Sequence, residues 1–243
     1  MKRHFQTAVI VLAIGLLSAC GTYKSEQQAA ALTFPELASM VRTKGKLWFA
    51  STEQVGNPNW EQPIAITVQQ LPFNRASYGT YTSHMVKAGK INGITYRDSL
   101  PIKPKYLRLQ LLNKINITEQ LNASENSNIR NYLATDNSYK MVTRFDITAA
   151  DVLMVQLLEA NTVQLAENDA LGKYLILTKN SKETTIPFSD LEVFDYGFSS
   201  FCWGEDRYHR KRIEAILTGN ASCPKGTYKK ASKVTADKSY LKF

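Results

Sequence analysis

Catalytic signatures are what this sequence lacks. It contains no Gly-x-Ser-x-Gly elbow, no His-Glu-x-x-His, no phosphate-binding glycine loop and no Gly-x-Gly-x-x-Gly. The familiar hydrolase, zinc-protease and nucleotide-binding chemistries therefore have no local motif to stand on. Histidine and cysteine number three each, which leaves little from which to build a metal centre of three or four ligands. No internal repeat, heptad run or long low-complexity segment is present, excluding repeat arrays and coiled coils. Long apolar runs are missing too. The stretch Ala8 to Leu17 spans roughly 15 Å as a helix, whereas a bilayer core of about 30 Å needs about twenty residues. Carboxylates are plentiful, so an acid/base pair assembled by folding stays open, but no spacing points to one.

What is present begins at the N-terminus. Lys2, Arg3 and His4 precede any acidic residue, the apolar run follows, and Ser18 and Ala19 lead to Cys20. A basic start, a short apolar middle and a small-residue exit form the layout of a secretory signal peptide. Leu17-Ser18-Ala19-Cys20 resembles the lipobox of bacterial lipoproteins at every position. That resemblance implies that the Cys20 thiol accepts a diacylglyceryl group, that a peptidase cuts before it, and that the freed amine takes a further palmitate-type chain. Two or three acyl chains make a stable anchor where one binds reversibly. The competing reading is an ordinary signal peptide with a chance cysteine. Gly21 lacks the acidic retention signal of many inner-membrane lipoproteins, so the resemblance favours the outer membrane in a cell that has one.

With Cys20 assigned to lipid, Cys202 and Cys223 remain. An oxidising compartment favours a disulfide between them, stabilising the fold by about 3 kcal/mol in the chain-entropy model. The rival is a metal or catalytic use, for which only His209 is near in sequence. Without Lys2 and Arg3 the chain carries 28 Lys and Arg against 21 Asp and Glu. From Trp203 to Phe243 ten basic residues face Glu205, Asp206, Glu214 and Asp237, so nearly all the excess charge lies there. Nucleic acid is not expected as a partner of an exported chain. The membrane itself, anionic lipid, an acidic glycan or an envelope protein are the available ones.

The segmentation follows: a signal peptide over 1–19, lipidated cysteine and tether over 20–33, a globular strand-rich domain over 34–225, and a basic tail over 226–243. Pro101 and Pro104 mark a loop or a boundary between lobes. Thr33-Phe34-Pro35-Glu36 fits a capping box, and Leu37, Met40 and Val41 recur at helical spacing up to Gly45, predicting a helix. Lys46–Ser51 and Pro63–Gln69 read as strands, and Asn92-Gly93 as a hairpin turn with polar arms. Leu107, Leu109 and Leu111 share one face of a strand. Asn113–Asn131 reads as a loop before a short helix at Ile129–Ala134. Tyr139 to Ile147 alternates as a half-buried strand. Thr148 and Asp151 cap a helix to Glu159, apolar nearly all round and so expected to be buried. A hairpin across Asn180-Ser181, a strand over Leu191–Phe198, a basic helix over Glu205–Leu217 and a loosely ordered tail complete the reading. Neighbouring strands outnumber helices, predicting an α+β, strand-rich fold with an antiparallel sheet or sandwich-like domain and a few short helices.

Three clusters are candidates for function. Glu205, Asp206 and His209 at helical spacing could share a metal, or serve acid/base chemistry, but their basic neighbours suit ion pairing on a helix surface. Phe194, Tyr196 and Phe198, with Trp203 nearby, share a strand face; exposed they would make a platform for sugar rings, and buried they belong to the core. Arg207, Arg210, Lys211 and Arg212 form a basic surface that is either merely solvated or docks on an anionic one. Ser83 beside His84 on a strand would point to opposite faces, so they form no dyad. The sequence therefore predicts a lipid-anchored, non-enzymatic binding or assembly component without cofactor or metal. The alternatives are an anchored hydrolase of envelope polymers and a glycan-binding module.

Overall fold

Alternation of apolar and polar residues between turns builds most of this molecule. A computed structural model describes residues 34–44 and 51–234. Cys20, the tether, Thr33, most of the Lys46–Ser51 strand and residues 235–243 lie outside the described residues. The strands are β1 (Met40–Lys44), β2 (Ser51–Gly56), β3 (Ile64–Pro72), β4 (Lys105–Leu111), β5 (Tyr139–Thr148), β6 (Thr162–Asn168), β7 (Gly172–Lys179), β8 (Lys182–Pro187), β9 (Glu192–Glu205) and β10 (Lys211–Thr218). The helices are α1 (Arg75–Lys87), α2 (Lys114–Asn122), α3 (Ser127–Leu133) and α4 (Asp151–Glu159).

All ten strands join one sheet in the order β10-β9-β5-β4-β3-β6-β7-β8, with β1 pairing both β5 and β2. Every pairing is antiparallel. The chain is thus the strand-rich α+β protein its patterning predicts. Leu107, Leu109 and Leu111 of β4, Ile64 and Ile66 of β3, and Leu175 and Leu177 of β7 point into one core, as period-two patterning requires. Pro101 and Pro104 lie in the connection before β4, and the strands on its two sides, β3 and β4, pair directly. Asn180 and Ser181 both take positive φ, 50° and 62°, the backbone of a two-residue hairpin turn. Cys202 and Cys223 are bonded, with Cα atoms 5.6 Å apart.

Several elements differ from expectation, each for a physical reason. The helix expected from Phe34 is instead a turn with Ala38 at φ 63°, followed by β1. Met40 and Val41, neighbours pointing to opposite faces of β1, are both buried in the core, and pairing with β2 and β5 overrides the helical spacing. No hairpin forms at Asn92-Gly93; the Asn92 amide donates to the Tyr78 hydroxyl, which donates to the Ile94 carbonyl. Asn113 to Asn131 is not a loop. Asn113 starts α2 from a left-handed backbone, its side chain accepting the N–H of Asn116.

The segment holding Ser83 and His84 is helical, not extended. Asn74 and Ser77 cap α1 reciprocally, each side chain accepting the other's backbone N–H. Ordinary capping boxes carry Glu or Gln at that third position, so this helix start has no familiar signature in the sequence. β5 is covered on both faces, with Val142, Asp146 and Thr148 buried beside Met141 and Phe145. α4 is largely exposed, and Leu157 is its one buried residue. The basic helix over Glu205–Leu217 is a hairpin between β9 and β10. Beyond Cys223 the chain is held down, since Tyr228 bridges Trp203 and Ala231 and Val234 are buried.

Candidate functional site

The basic cluster sits at the tip of the β9–β10 hairpin, and one carboxylate shapes it. Asp206 accepts the backbone N–H groups of Tyr208 and Arg210 on one oxygen, at 2.8 and 2.9 Å. Its other oxygen accepts Arg210 Nε at 2.8 Å. The Arg210 N–H leads the causes that hold the Asp206 carboxyl below its usual range. His209 turns the chain with φ 62° and pairs through Nδ1 with Glu205 at 2.8 Å. Asp206 and Glu205 therefore serve the turn. The helical face on which sequence spacing placed them with His209 does not exist. Among the described residues, no group of three or more His, Cys, Asp or Glu lies close enough to hold a metal.

This turn holds Tyr208 out, 61% exposed, with the guanidiniums of Arg207 and Arg210 at 4.7 and 5.2 Å from its ring centre. Cations over an aromatic face attract its quadrupole, so the two arginines and the tyrosine form one ordered unit. Lys211 and Arg212 follow at the start of β10, where Arg212 pairs with Glu214 at 3.2 Å. Arg130 lies close behind. It donates to the carbonyls of Leu121, Asn122 and Ala123, closing the C-terminal end of α2, where cations are favoured. Burial first, then the proximity of Arg210 and Arg212, pushes the Arg130 pKa down. Positive charge is thus concentrated at this end of the sheet.

The aromatic stripe divides. β9 is bulged opposite Asp146 and Ile147, which face Asp195 and Val193 and leave Phe194 unpaired. A bulge reverses the side-chain direction beyond it. Phe194 therefore packs with Phe73, Tyr81 and Tyr106, while Tyr196 meets Phe34 and Phe198. Phe194 and Trp203 are buried and offer no ring to a ligand. Tyr196 and Phe198 are half-buried.

A second cluster had no signal in the sequence. Phe34 wedges between His84 of α1 and Tyr196 of β9, with ring centres 5.0 and 5.1 Å away. His84 Nε2 lies 2.6 Å from Glu192 Oε1, and Lys90 bonds the other oxygen. Close by, Lys173 Nζ is buried against Glu36 at 3.2 Å and Asn57 at 3.1 Å. Burial lowers the Lys173 pKa, and the Glu36 carboxylate opposes that shift. A cavity of about 290 Å³ opens among Phe34, Leu37, Phe145, Phe188 and Val193.

Burial pushes Glu192 up, but hydrogen bonds from Lys90 and His84 outweigh it and hold the carboxyl below its ordinary 4.5. A carboxyl depressed in the folded state contributes stability that is complete above its unfolded pKa and lost as pH falls through the folded one. Glu192→Gln is expected to lower stability throughout the range above about pH 4.5 and to converge on the wild-type curve in more acid solution, so that its acid limb is flatter. Urea midpoints from pH 3 to 8 measure this; parallel curves for the two proteins would remove Glu192 from the account.

Set beside known proteins, the chain matches no family model, no curated protein and no solved structure.

Proposed function

We propose that this chain is a lipid-anchored envelope protein, fixed through Cys20 to the outer membrane, whose domain binds an acidic protein surface through the β9–β10 tip. The observation that carries this reading is the ordered Arg207–Tyr208–Arg210 unit, presented to solvent by a turn that Asp206 locks. Arginine offers a planar fork that fits carboxylates in pairs, and arginine and tyrosine dominate the strong points of protein interfaces. Prior ordering lowers the entropy lost on binding. The same geometry weakens the anchored-hydrolase alternative, because Asp206 spends both oxygens on the turn. Burial of Phe194 and Trp203 likewise weakens the glycan-platform alternative.

A photoreactive residue at position 208, irradiated in intact envelopes, is expected to yield a discrete protein adduct. The Arg207→Glu, Arg210→Glu variant is expected to lose it at least about tenfold, given about 1.5 kcal/mol or more per charge-assisted contact. Adducts to lipid alone, or adducts indifferent to charge reversal, would dismiss the proposal. Mass spectrometry of the same preparation checks the acyl chains on Cys20.

A further inference from the structure

The connection between β3 and β4 points to a second surface. These strands are sheet neighbours, and neighbours are commonly joined by two to five residues. Here residues 73–104 intervene, 32 in all. The excursion is clamped to the sheet by Phe73, whose ring lies within 6.0 Å of those of Tyr78, Tyr81, Tyr106 and Phe194. Its outer side carries the three most exposed large aliphatic side chains among the described residues. Val86, Ile91 and Ile102 are 78, 92 and 82% exposed, a large apolar content to leave in water. Between residues 73 and 104 stand Arg75, Lys87, Lys90, Arg97 and Lys103, with Asp98 as the sole acidic residue.

Ile91 is not on a loose loop. Lys90 bonds Glu192 and the Asn92 side chain bonds Tyr78, so the residues on both sides of it are pinned. Each of the three has a lysine as its neighbour in the chain, Lys87, Lys90 and Lys103, and exposed aliphatic side chains beside lysines are the composition of an interfacial membrane contact: apolar groups enter the acyl boundary while ammonium groups remain among the head groups. On the anchoring proposed above, a bilayer lies within reach of the start of the domain. The described domain begins at Phe34, which stacks on His84 of α1, two residues from Val86. Only thirteen residues separate Phe34 from Cys20, at most about 45 Å of extended chain.

We infer that the Val86, Ile91 and Ile102 face of this excursion, with Lys87 and Lys103, lies on the anionic surface of the bilayer that holds the chain. The inference rests on the anchoring reading above and adds an orientation to it. Glu192, bonded to His84 and Lys90 in this excursion, opens β9; the hairpin tip follows its other end. Fourteen residues of strand extend about 40 Å, so the tip is carried away from the lipid toward its partner.

Brominated lipids test this with the processed, acylated chain in phosphatidylglycerol vesicles, using Ile91→Trp and Tyr208→Trp with the wild-type tryptophan signal subtracted. Emission from position 91 is expected to be quenched by bromine in the upper acyl chain and to shift to the blue, while emission from position 208 stays unquenched. Adding Lys87→Glu and Lys103→Glu to Ile91→Trp is expected to lower the ratio of docked to undocked chain at least about tenfold. Quenching at 208 instead of 91, or at neither, would overturn the inference. Shielding of position 91 from aqueous quenchers without bromine quenching would assign the face to a second copy or another protein, and would overturn it too. If mass spectrometry finds no lipid on Cys20, the anchoring reading fails separately. The same unacylated chain added to the vesicles still reads this face by its quenching at position 91.

Discussion

Asp146→Ala is expected to melt the domain about 10 °C or more below the wild-type chain. Asp146 is buried near the C-terminal end of β5, where it accepts Arg108 Nε and Nη2 at 2.7 and 2.8 Å. The Arg144 guanidinium stands 3.6 Å away and reaches on to Asp195 at 2.7 Å. Two arginines and two carboxylates therefore alternate across β4, β5 and β9. The Asp146 hydrogen bonds raise the Arg108 pKa further, and burial raises that of Asp195 despite Arg144. Removing Asp146 leaves the half-buried Arg108 without its bidentate acceptor, and breaking such a buried pair from one side costs about 3–5 kcal/mol. Calorimetry of the single variant measures the loss, and Arg108→Met in the Asp146→Ala background is expected to recover part of it. A shift under about 2 °C for Asp146→Ala would mean that water replaces the carboxylate without penalty.

Phe73→Ala is expected to cost about 3–5 kcal/mol, the usual range for emptying a fully buried aromatic site, and to loosen one region first. Phe73 has no exposed surface and is the hub of the smaller apolar cluster with Tyr81, Met85, Tyr106 and Phe194. The strands β6, β7 and β8 pack in the other, larger cluster. Hydrogen exchange should therefore accelerate within residues 73–104 well before it does in β6 to β8, as expected where local and global opening separate. Uniform acceleration along the whole chain would show that the two clusters open together.

How much of this was legible depended on whether a strand kept its period. β4 and the β7–β8 hairpin alternate without interruption and could be read directly. β10 could not, and its bulge explains why. Ile213 faces Trp203 and Ala215 faces Cys202, leaving Glu214 unpaired, so Ile213, Ile216 and Leu217 are all buried. Offsets of three and four are the mark of a helix, and a bulged strand reproduces them. The bulge at Phe194 split the aromatic stripe by the same means. At the β9–β10 tip, the basic residues were visible in the chain. The role of Asp206 was not, because the N–H groups that donate to it belong to a turn that exists only once β10 returns along β9. The Phe34, His84 and Glu192 cluster unites residues more than a hundred positions apart, and no local pattern announces such a meeting.

One small contact at the end of the sheet has wider meaning. Asn122 of α2 donates its amide to the Ile213 carbonyl at 2.7 Å and accepts the Ile213 N–H at 3.0 Å. A single carboxamide thus performs there the exchange that one residue of a further strand would make. An outermost strand ordinarily invites foreign chains to add themselves. At this position that invitation is already answered from within, so no second chain can extend the sheet through Ile213.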